Sequence, residues 1–274
     1  MIYDYFHKPA DELKNKKLWL FDMDGTIYME NQIYDGTLDL LNYITSIGGK
    51  YVFITNNSSK SVNDYIAKVN NMGIKADKDN FYTSTQATAE YIKDKYGDIL
   101  LFAVGTKSFL KELDELGIRY TTDYDENVEA VILSYDNELT YEKLRNISKL
   151  LTKFDLPYIA TNPDLVCPVE FGYVPDCGSF AMMIKNATGK SPIFIGKPEP
   201  TMIEFVIKKY GFRKENSVVI GDRIYTDIAS GLNAGVCSVC VLSGESTLET
   251  IKEDNRKPTY VFKDVKEIYE LIAK

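Results

Sequence analysis

Residues 17–26 read Lys-Leu-Trp-Leu-Phe-Asp-Met-Asp-Gly-Thr, and this stretch decides how the chain folds. Its apolar run, Lys17 to Met23, is too short for a helix and reads as a strand buried on both faces. The run gives way to Asp22-Met23-Asp24-Gly25-Thr26. Residues i and i+2 of an extended segment point the same way, so Asp22 and Asp24 share a side, and Gly25 permits a sharp turn after them. Two carboxylates this close repel unless a cation or a shared proton intervenes. With Asp and Thr at roughly 5% and Gly at about 7% of ordinary sequences, a chance Asp-x-Asp-Gly-Thr here has odds on the order of a few in a thousand. A solvated acidic turn is the plain alternative, and the buried strand directly before the pair argues against it.

Outward from this strand, the pattern alternates. Thr37 to Ile47 carries an apolar helical stripe (Leu38, Leu41, Ile44, Ile47) stopped by Gly48-Gly49, and Lys50 to Thr55 reads as a second buried strand. Ser61 to Met72 is helical, Phe81 to Ser84 a short strand, and Thr85 to Tyr96 a helix. A second set follows, with strands at 99–104, 130–134, 158–160 and 193–195 and helices at 108–116, 141–154 and 179–188. The chain closes with a helix at 200–210, strands at 217–221, 237–242 and 260–262, and helices at 226–234 and 265–273. Such alternation predicts an α/β fold, a doubly wound, mostly parallel sheet covered on both faces, with its site at the carboxyl ends of the strands.

Composition narrows the function. A length of 274 residues predicts one large domain or two modest ones, and 45% apolar with 26% charged residues is ordinary for a packed protein. The net charge of −8 repels a phosphate backbone, so nucleic acid is not expected as a partner. A phosphorylated substrate would then need a local positive site, such as a bound metal. The single histidine, His7, argues against a Ser–His–Asp hydrolase and a multi-histidine zinc site. Four cysteines are too few for a disulfide framework, and the Cys-x-x-Cys at Cys237 and Cys240 lies in an apolar, β-branched run that reads as a core strand. No apolar run approaches the ~18 residues of a membrane span, and residues 1–17 lack a signal-peptide core. A cytoplasmic location is the expectation.

Other strand ends add weaker signals. Thr55-Asn56-Asn57-Ser58-Ser59 supplies small donors ahead of a helix, which suits an anion but alone would be an N-cap. Lys197, in Gly196-Lys197-Pro198, precedes another helix, and Gly221-Asp222 with Asp227 stands at a further strand end. These signals gain force together, because each falls at the corresponding end of a strand in one sheet.

With these motifs in order, the sequence resembles the haloacid dehalogenase-like phosphohydrolases. Asp22-x-Asp24-Gly25-Thr26, Thr55, Lys197, and Gly221-Asp222 with Asp227 match that family's four motifs in turn. Thr55-Asn56-Asn57, Ala160-Thr161-Asn162-Pro163-Asp164, Gly178-Ser179, Gly196-Lys197-Pro198 and Gly221-Asp222-Arg223 resemble its NagD/4-nitrophenylphosphatase branch, and the likeness spans roughly residues 18–242. Only 33 positions separate Asp22 from Thr55, but 142 separate Thr55 from Lys197, room enough for an inserted compact unit at about 97–190. The resemblance implies that this insert is a large α/β cap on a Rossmann-like core made of 1–96 and 191–274.

The resemblance further implies an Mg²⁺-dependent phosphatase for small phosphate monoesters, of the nucleotide, sugar phosphate, pyridoxal phosphate or phosphoglycolate class. Asp22 would be the nucleophile and Asp24 the acid and base. Asp22, the Asp24 carbonyl and Asp222 would hold the metal, with Asp227 behind them. Thr55, Asn56, Asn57, Lys197, Gly178 and Ser179 would meet the substrate. Asp24 speaks against a dehalogenase, which needs no acid, and the missing spans speak against a P-type ATPase. Specificity is expected from the stretch after Asn162-Pro163-Asp164, namely Val166, Cys167, Glu170, Tyr173, Asp176, Cys177 and Ser179. A homodimer through the cap is a further expectation of the resemblance. A phosphometabolite-binding protein on the same fold, or a phosphotransferase, is the alternative.

Overall fold

The computed structural model describes residues Met1–Lys274, and the chain divides into two compact units. The first comprises Met1–Thr55, Tyr65–Tyr82 and Lys197–Lys274. Its six-stranded sheet runs in the order Tyr260–Phe262, Cys237–Val241, Ser217–Gly221, Leu18–Phe21, Lys50–Thr55, Phe81–Thr83. Leu18–Phe21 is central and pairs in parallel with Ser217–Gly221 on one side and Lys50–Thr55 on the other. All four of its residues are fully buried. Each such large apolar side chain contributes roughly 1.5–3 kcal/mol relative to exposure.

Strand order reverses at this central strand: later strands add on one side through Lys50–Thr55 and on the other through Ser217–Gly221. The connections therefore leave in opposite directions, and a crevice opens beyond the strand ends. Register fixes what stands there. Phe21 is level with Ile220 and Phe53, so Asp22, Thr55 and Asp222 emerge from three adjacent strands at one edge. Cys237 and Cys240 lie in the strand Cys237–Val241 as free thiols, as the apolar run predicts.

The second unit comprises Asn56–Asp64 and Thr83–Gly196. Its parallel five-stranded sheet runs Ile193–Phe194, Tyr158–Ala160, Ala130–Leu133, Leu101–Val104, Tyr120–Thr121. Helices Tyr141–Lys153 and Cys177–Thr188 pack Ile147, Leu150, Leu151, Phe180 and Ile184 into its core. Four of its five strands lie within the expected insert at about 97–190, and Ile193–Phe194 lies just beyond it. The helix Ser84–Tyr96 also belongs to this unit, as does Asn56–Asp64.

Some elements differ from the sequence pattern. An antiparallel hairpin, Val166–Val169 with Gly172–Pro175, forms where the sequence pattern assigns no strand: each of its two short strands contains a proline and alternates exposed with only half-buried residues. The helix expected at 226–234 is a π-turn over Ile224–Ile228 followed by an α-helix over Ala229–Ala234.

In the second unit, Glu112 is a buried carboxylate on the helix Lys107–Glu115. Its Oε2 accepts from the Val62 amide at 3.0 Å and its Oε1 from the Thr83 hydroxyl at 3.1 Å. Burial outweighs both donors and pushes its carboxyl up to about 7. A carboxyl raised on folding is protonated in the native chain where the unfolded chain has already ionised. Its contribution to stability therefore falls as pH rises from about 4.5 to about 7 and is flat beyond, a loss on the order of 3 kcal/mol. Glu112→Gln should remove that loss: urea midpoints of variant and parent should converge near pH 4.5, with the variant the more resistant at pH 8.

Candidate active site

Site geometry begins in the tight loop after the central strand. The Asp22 amide donates to the Ile220 carbonyl at 2.8 Å, extending the sheet by one residue. The amides of Thr26 and Ile27 both donate to the Met23 carbonyl, and Gly25 donates to Tyr28, closing the turn. Gly25 has φ of +83°, and a Cβ there would lie 2.5 Å from Asp222 Oδ2. Both constraints demand glycine, because a side chain would strain the backbone and displace Asp222.

Oxygens of Asp22, Asp222 and Asp227 gather within 4.8 Å of one another. Lys197 joins them: its Nζ donates to Asp22 Oδ1 and to Asp227 Oδ1, each at 2.6 Å, and to the Ile54 carbonyl at 3.2 Å. Its side chain is 3% exposed and that of Asp227 only 1%. Burial works against the ammonium, but Asp22 and Asp227 outweigh it and hold Lys197 above the usual lysine range. Burial pushes the Asp227 carboxyl up; Lys197 pulls it down, and Asp22 and Asp222 push it up again.

Asp227 reaches the cluster through the π-turn, in which the Ile228 amide bonds back to the Arg223 carbonyl at 3.2 Å. The wider turn returns Asp227 beside the strand it follows, and its Oδ2 accepts from the Arg223 amide at 3.1 Å. Asp222 is held from the loop after Cys237–Val241. The Glu245 amide donates to Asp222 Oδ2 at 2.8 Å, and Thr26 Oγ1 donates to Oδ1 at 3.3 Å. Burial and then the charge of Asp22 push the Asp222 carboxyl up to about 6.

This set fits a hard divalent cation. Every donor is a carboxylate oxygen, three converge, and burial with mutual repulsion raises two of them, which is the strain a cation relieves.

Asp24 stands apart from that cluster. Its side chain is 57% exposed, and Lys68 Nζ lies 3.5 Å from its Oδ1. The Tyr28 hydroxyl donates to Asp24 Oδ2 at 3.3 Å. Crowding by surrounding protein atoms raises the Asp24 carboxyl despite this opening; Lys68 lowers it, and Asp22 raises it again.

Thr55 is buried at the end of its strand in the first unit. Of the other expected substrate residues, Lys197 shares that unit, whereas Asn56, Asn57, Gly178 and Ser179 lie in the second. Asn56 donates through Nδ2 to Asp164 at 3.0 Å, while Asn57 Oδ1 accepts from the amide and the hydroxyl of Ser59. Gly178 packs so closely on the Pro163 and Asp164 carbonyls that no side chain fits, and Ser179 Oγ donates to the Leu165 carbonyl at 2.6 Å. Among the expected specificity residues, Cys177 is fully buried and Asp176 caps its helix. Val166, Glu170 and Tyr173 are exposed in the hairpin region. Sequence reasoning missed Tyr28, Lys68 and the Ser243–Ser246 loop. Only the glycine at Gly244, where a Cβ would strike Asp222, offers a signal for the loop.

Known proteins share this architecture. The profile of the haloacid dehalogenase-like hydrolases matches residues 19–119, and a second profile, described as HAD-hydrolase-like, matches 194–268. An acid sugar phosphatase of Staphylococcus haemolyticus is 36% identical over 253 residues, covering 92% of this chain and 95% of that protein. The crystal structure of a 4-nitrophenylphosphatase from Thermotoga maritima superposes with a TM-score of 0.90 at 38% identity, covering 95% of this chain and 99% of that one. A glycerol phosphate phosphatase from Mycobacterium tuberculosis, in complex with magnesium, gives a TM-score of 0.88 at 25% identity over 97% of this chain and 80% of that one. Motif order, strand-end geometry and likeness over nearly the whole chain agree: the protein belongs to the haloacid dehalogenase-like hydrolases, in their NagD/4-nitrophenylphosphatase branch, and is a phosphatase.

Proposed function

We propose that the protein hydrolyses small phosphate monoesters through an aspartyl-phosphate on Asp22, with Mg²⁺ as its cofactor. The observation that carries this reading is the Lys197 ammonium held 2.6 Å from both Asp22 and Asp227, inside a cluster of three carboxylates at the sheet's switch point. Phosphate monoesters are anionic and hydrolyse extremely slowly unaided, so a catalyst must neutralise charge and position a nucleophile. Bound by Asp22, Asp222 and the Asp24 carbonyl, with Asp227 behind them, Mg²⁺ would supply that neutralisation.

Asp22 attacks phosphorus in line with the leaving oxygen. The bond from phosphorus to the alcohol breaks, and Asp24 gives its proton to the departing alkoxide. Asp24 then takes a proton from water, which attacks the aspartyl-phosphate, freeing inorganic phosphate and restoring Asp22. Lys197 already has three oxygen partners, so its first task is to fix the Asp22 carboxylate, while its charge acts on the phosphoryl oxygens at short range. Thr55, at the neighbouring strand end, adds a hydroxyl beside them.

Substrate class is proposed from the relatives: sugar phosphates, glycerol phosphate and 4-nitrophenyl phosphate head the panel, with nucleotides, pyridoxal phosphate and phosphoglycolate beside them. We assign substrate selection to the second unit as a cap, with Val166, Glu170 and Tyr173 as its exposed candidates.

Asp22→Asn should reduce hydrolysis of 4-nitrophenyl phosphate by at least about 10³-fold with the fold intact, because the covalent step is lost. Parental rates in a purified sample would refute the nucleophile assignment. EDTA should abolish turnover and Mg²⁺ restore it. Lys197→Met should lower the melting temperature in EDTA at pH 7 by the equivalent of about 3–5 kcal/mol, since it strands buried carboxylates without their cation. Scanning calorimetry should show the deficit shrinking as pH falls and those carboxyls protonate.

A further inference from the structure

Two residues outside the four motifs, Lys68 and Tyr28, adjoin Asp24. Lys68 lies on the helix Val62–Asn71, in the part that belongs to the first unit. Its Nζ is 3.5 Å from Asp24 Oδ1 and 4.0 Å from the centre of the Tyr28 ring. Tyr28 in turn donates its hydroxyl to Asp24 Oδ2 at 3.3 Å. Ammonium, ring and carboxyl thus form a closed triangle, in which each Asp24 oxygen meets a different donor. The triangle has a local cause. The turn over Met23–Tyr28, closed by the Gly25 amide on the Tyr28 carbonyl at 2.9 Å, brings Tyr28 back beside Asp24. Tyr28 is fully buried and has one rigid direction, whereas Asp24 is open to solvent and would otherwise turn freely about its side-chain bonds.

We propose that Lys68, seated on the Tyr28 ring, is a positioning residue that with Tyr28 holds the Asp24 carboxyl aimed at the leaving-group oxygen of the substrate. The inference rests on the reading of Asp24 as general acid given above. An acid must stand within hydrogen-bond reach of the oxygen it protonates, and misplacement by about 1 Å can cost on the order of 100-fold. Two donors on opposite oxygens fix the rotation of the carboxyl plane, and each oxygen keeps a second lone pair for chemistry. A salt bridge this open to solvent adds little to stability, so its value lies in orientation.

Leaving groups separate this role from its rivals. An alkyl alkoxide needs a proton as it departs, whereas 4-nitrophenolate does not, and kcat/KM reports events only up to alcohol release. Lys68→Met keeps the apolar stem on the ring and removes the charge. Its kcat/KM for glycerol phosphate or a sugar phosphate should fall about 10- to 100-fold, while that for 4-nitrophenyl phosphate stays within about threefold. Lys68→Arg should restore most of the loss, and Tyr28→Phe should reproduce the selectivity in weaker form. In an Asp24→Asn background, Lys68→Met should cost nothing further. Equal losses with both esters overturn the proposal, since a residue that merely attracts phosphate or supports the fold would act on both. Unchanged kinetics, or a further loss in the Asp24→Asn background, overturn it too. If Asp24→Asn alone fails to distinguish the two esters, the acid assignment falls first and takes this inference with it.

Discussion

One buried ammonium organises the site. Lys197 reaches from the segment before the helix Thr201–Tyr210 to touch Asp22 beyond the central strand, Asp227 on the π-turn and the Ile54 carbonyl of the neighbouring strand. Stripping water from a lysine costs several kcal/mol, and three close oxygens offset that cost only when their positions are fixed. Strand register supplies the fixing, since Phe21, Ile220 and Phe53 lie level in adjacent strands. A buried ion cluster is weak evidence for stability, because well-packed apolar groups of similar volume often serve as well or better. Its retention at the carboxyl edge of the sheet is instead what phosphoryl chemistry requires: a fixed positive charge beside a fixed carboxylate, in a place that excludes most water.

What the sequence disclosed follows from which signals are local. The strand Leu18–Phe21 is legible because four consecutive apolar residues end at charged ones, and Asp22, Asp24 and Asp222 are legible because they follow such endings. Lys197 is expected at a strand end of the same sheet, but Ile193–Phe194 before it belongs to the five-stranded sheet of the second unit, and Asp227 stands on the π-turn. The two-sheet plan is legible from residue counts between those endings. Other parts depend on long-range packing that leaves no periodic trace. Glu245 grips Asp222 by its backbone amide, which any residue could offer, and Lys68 meets Asp24 from a helix whose polar face looks like ordinary solvated surface. The π-turn resembles the start of a helix because i→i+5 and i→i+4 bonding leave nearly the same pattern of side chains over five residues.

Glycines mark where the backbone must yield to a carboxylate. Gly25 and Gly244 approach Asp222 from different loops, and a Cβ at either would occupy space that the carboxyl fills. Asp222 is consequently held by the Glu245 amide, the Thr26 hydroxyl and excluded volume rather than by a partner of opposite charge in direct contact. Such holding positions the group without neutralising it, so its negative charge stays available to a cation.

The same logic separates the two aspartates of one short motif. Both leave the sheet on one side, as i and i+2 positions must. The strand continues through the Asp22 amide, so Asp22 inherits the rigidity of the sheet and faces Lys197. Gly25 then turns the chain, and Asp24 falls on the rim, partly in water, beside a tyrosine hydroxyl that donates to it and a lysine ammonium. A nucleophile benefits from the first environment, which removes freedom at the attacking oxygen. A group that must both give and take a proton benefits from the second, which leaves it reachable by an alcohol and later by water. In the proposed mechanism, chain geometry at this turn would divide the labour between two chemically identical side chains.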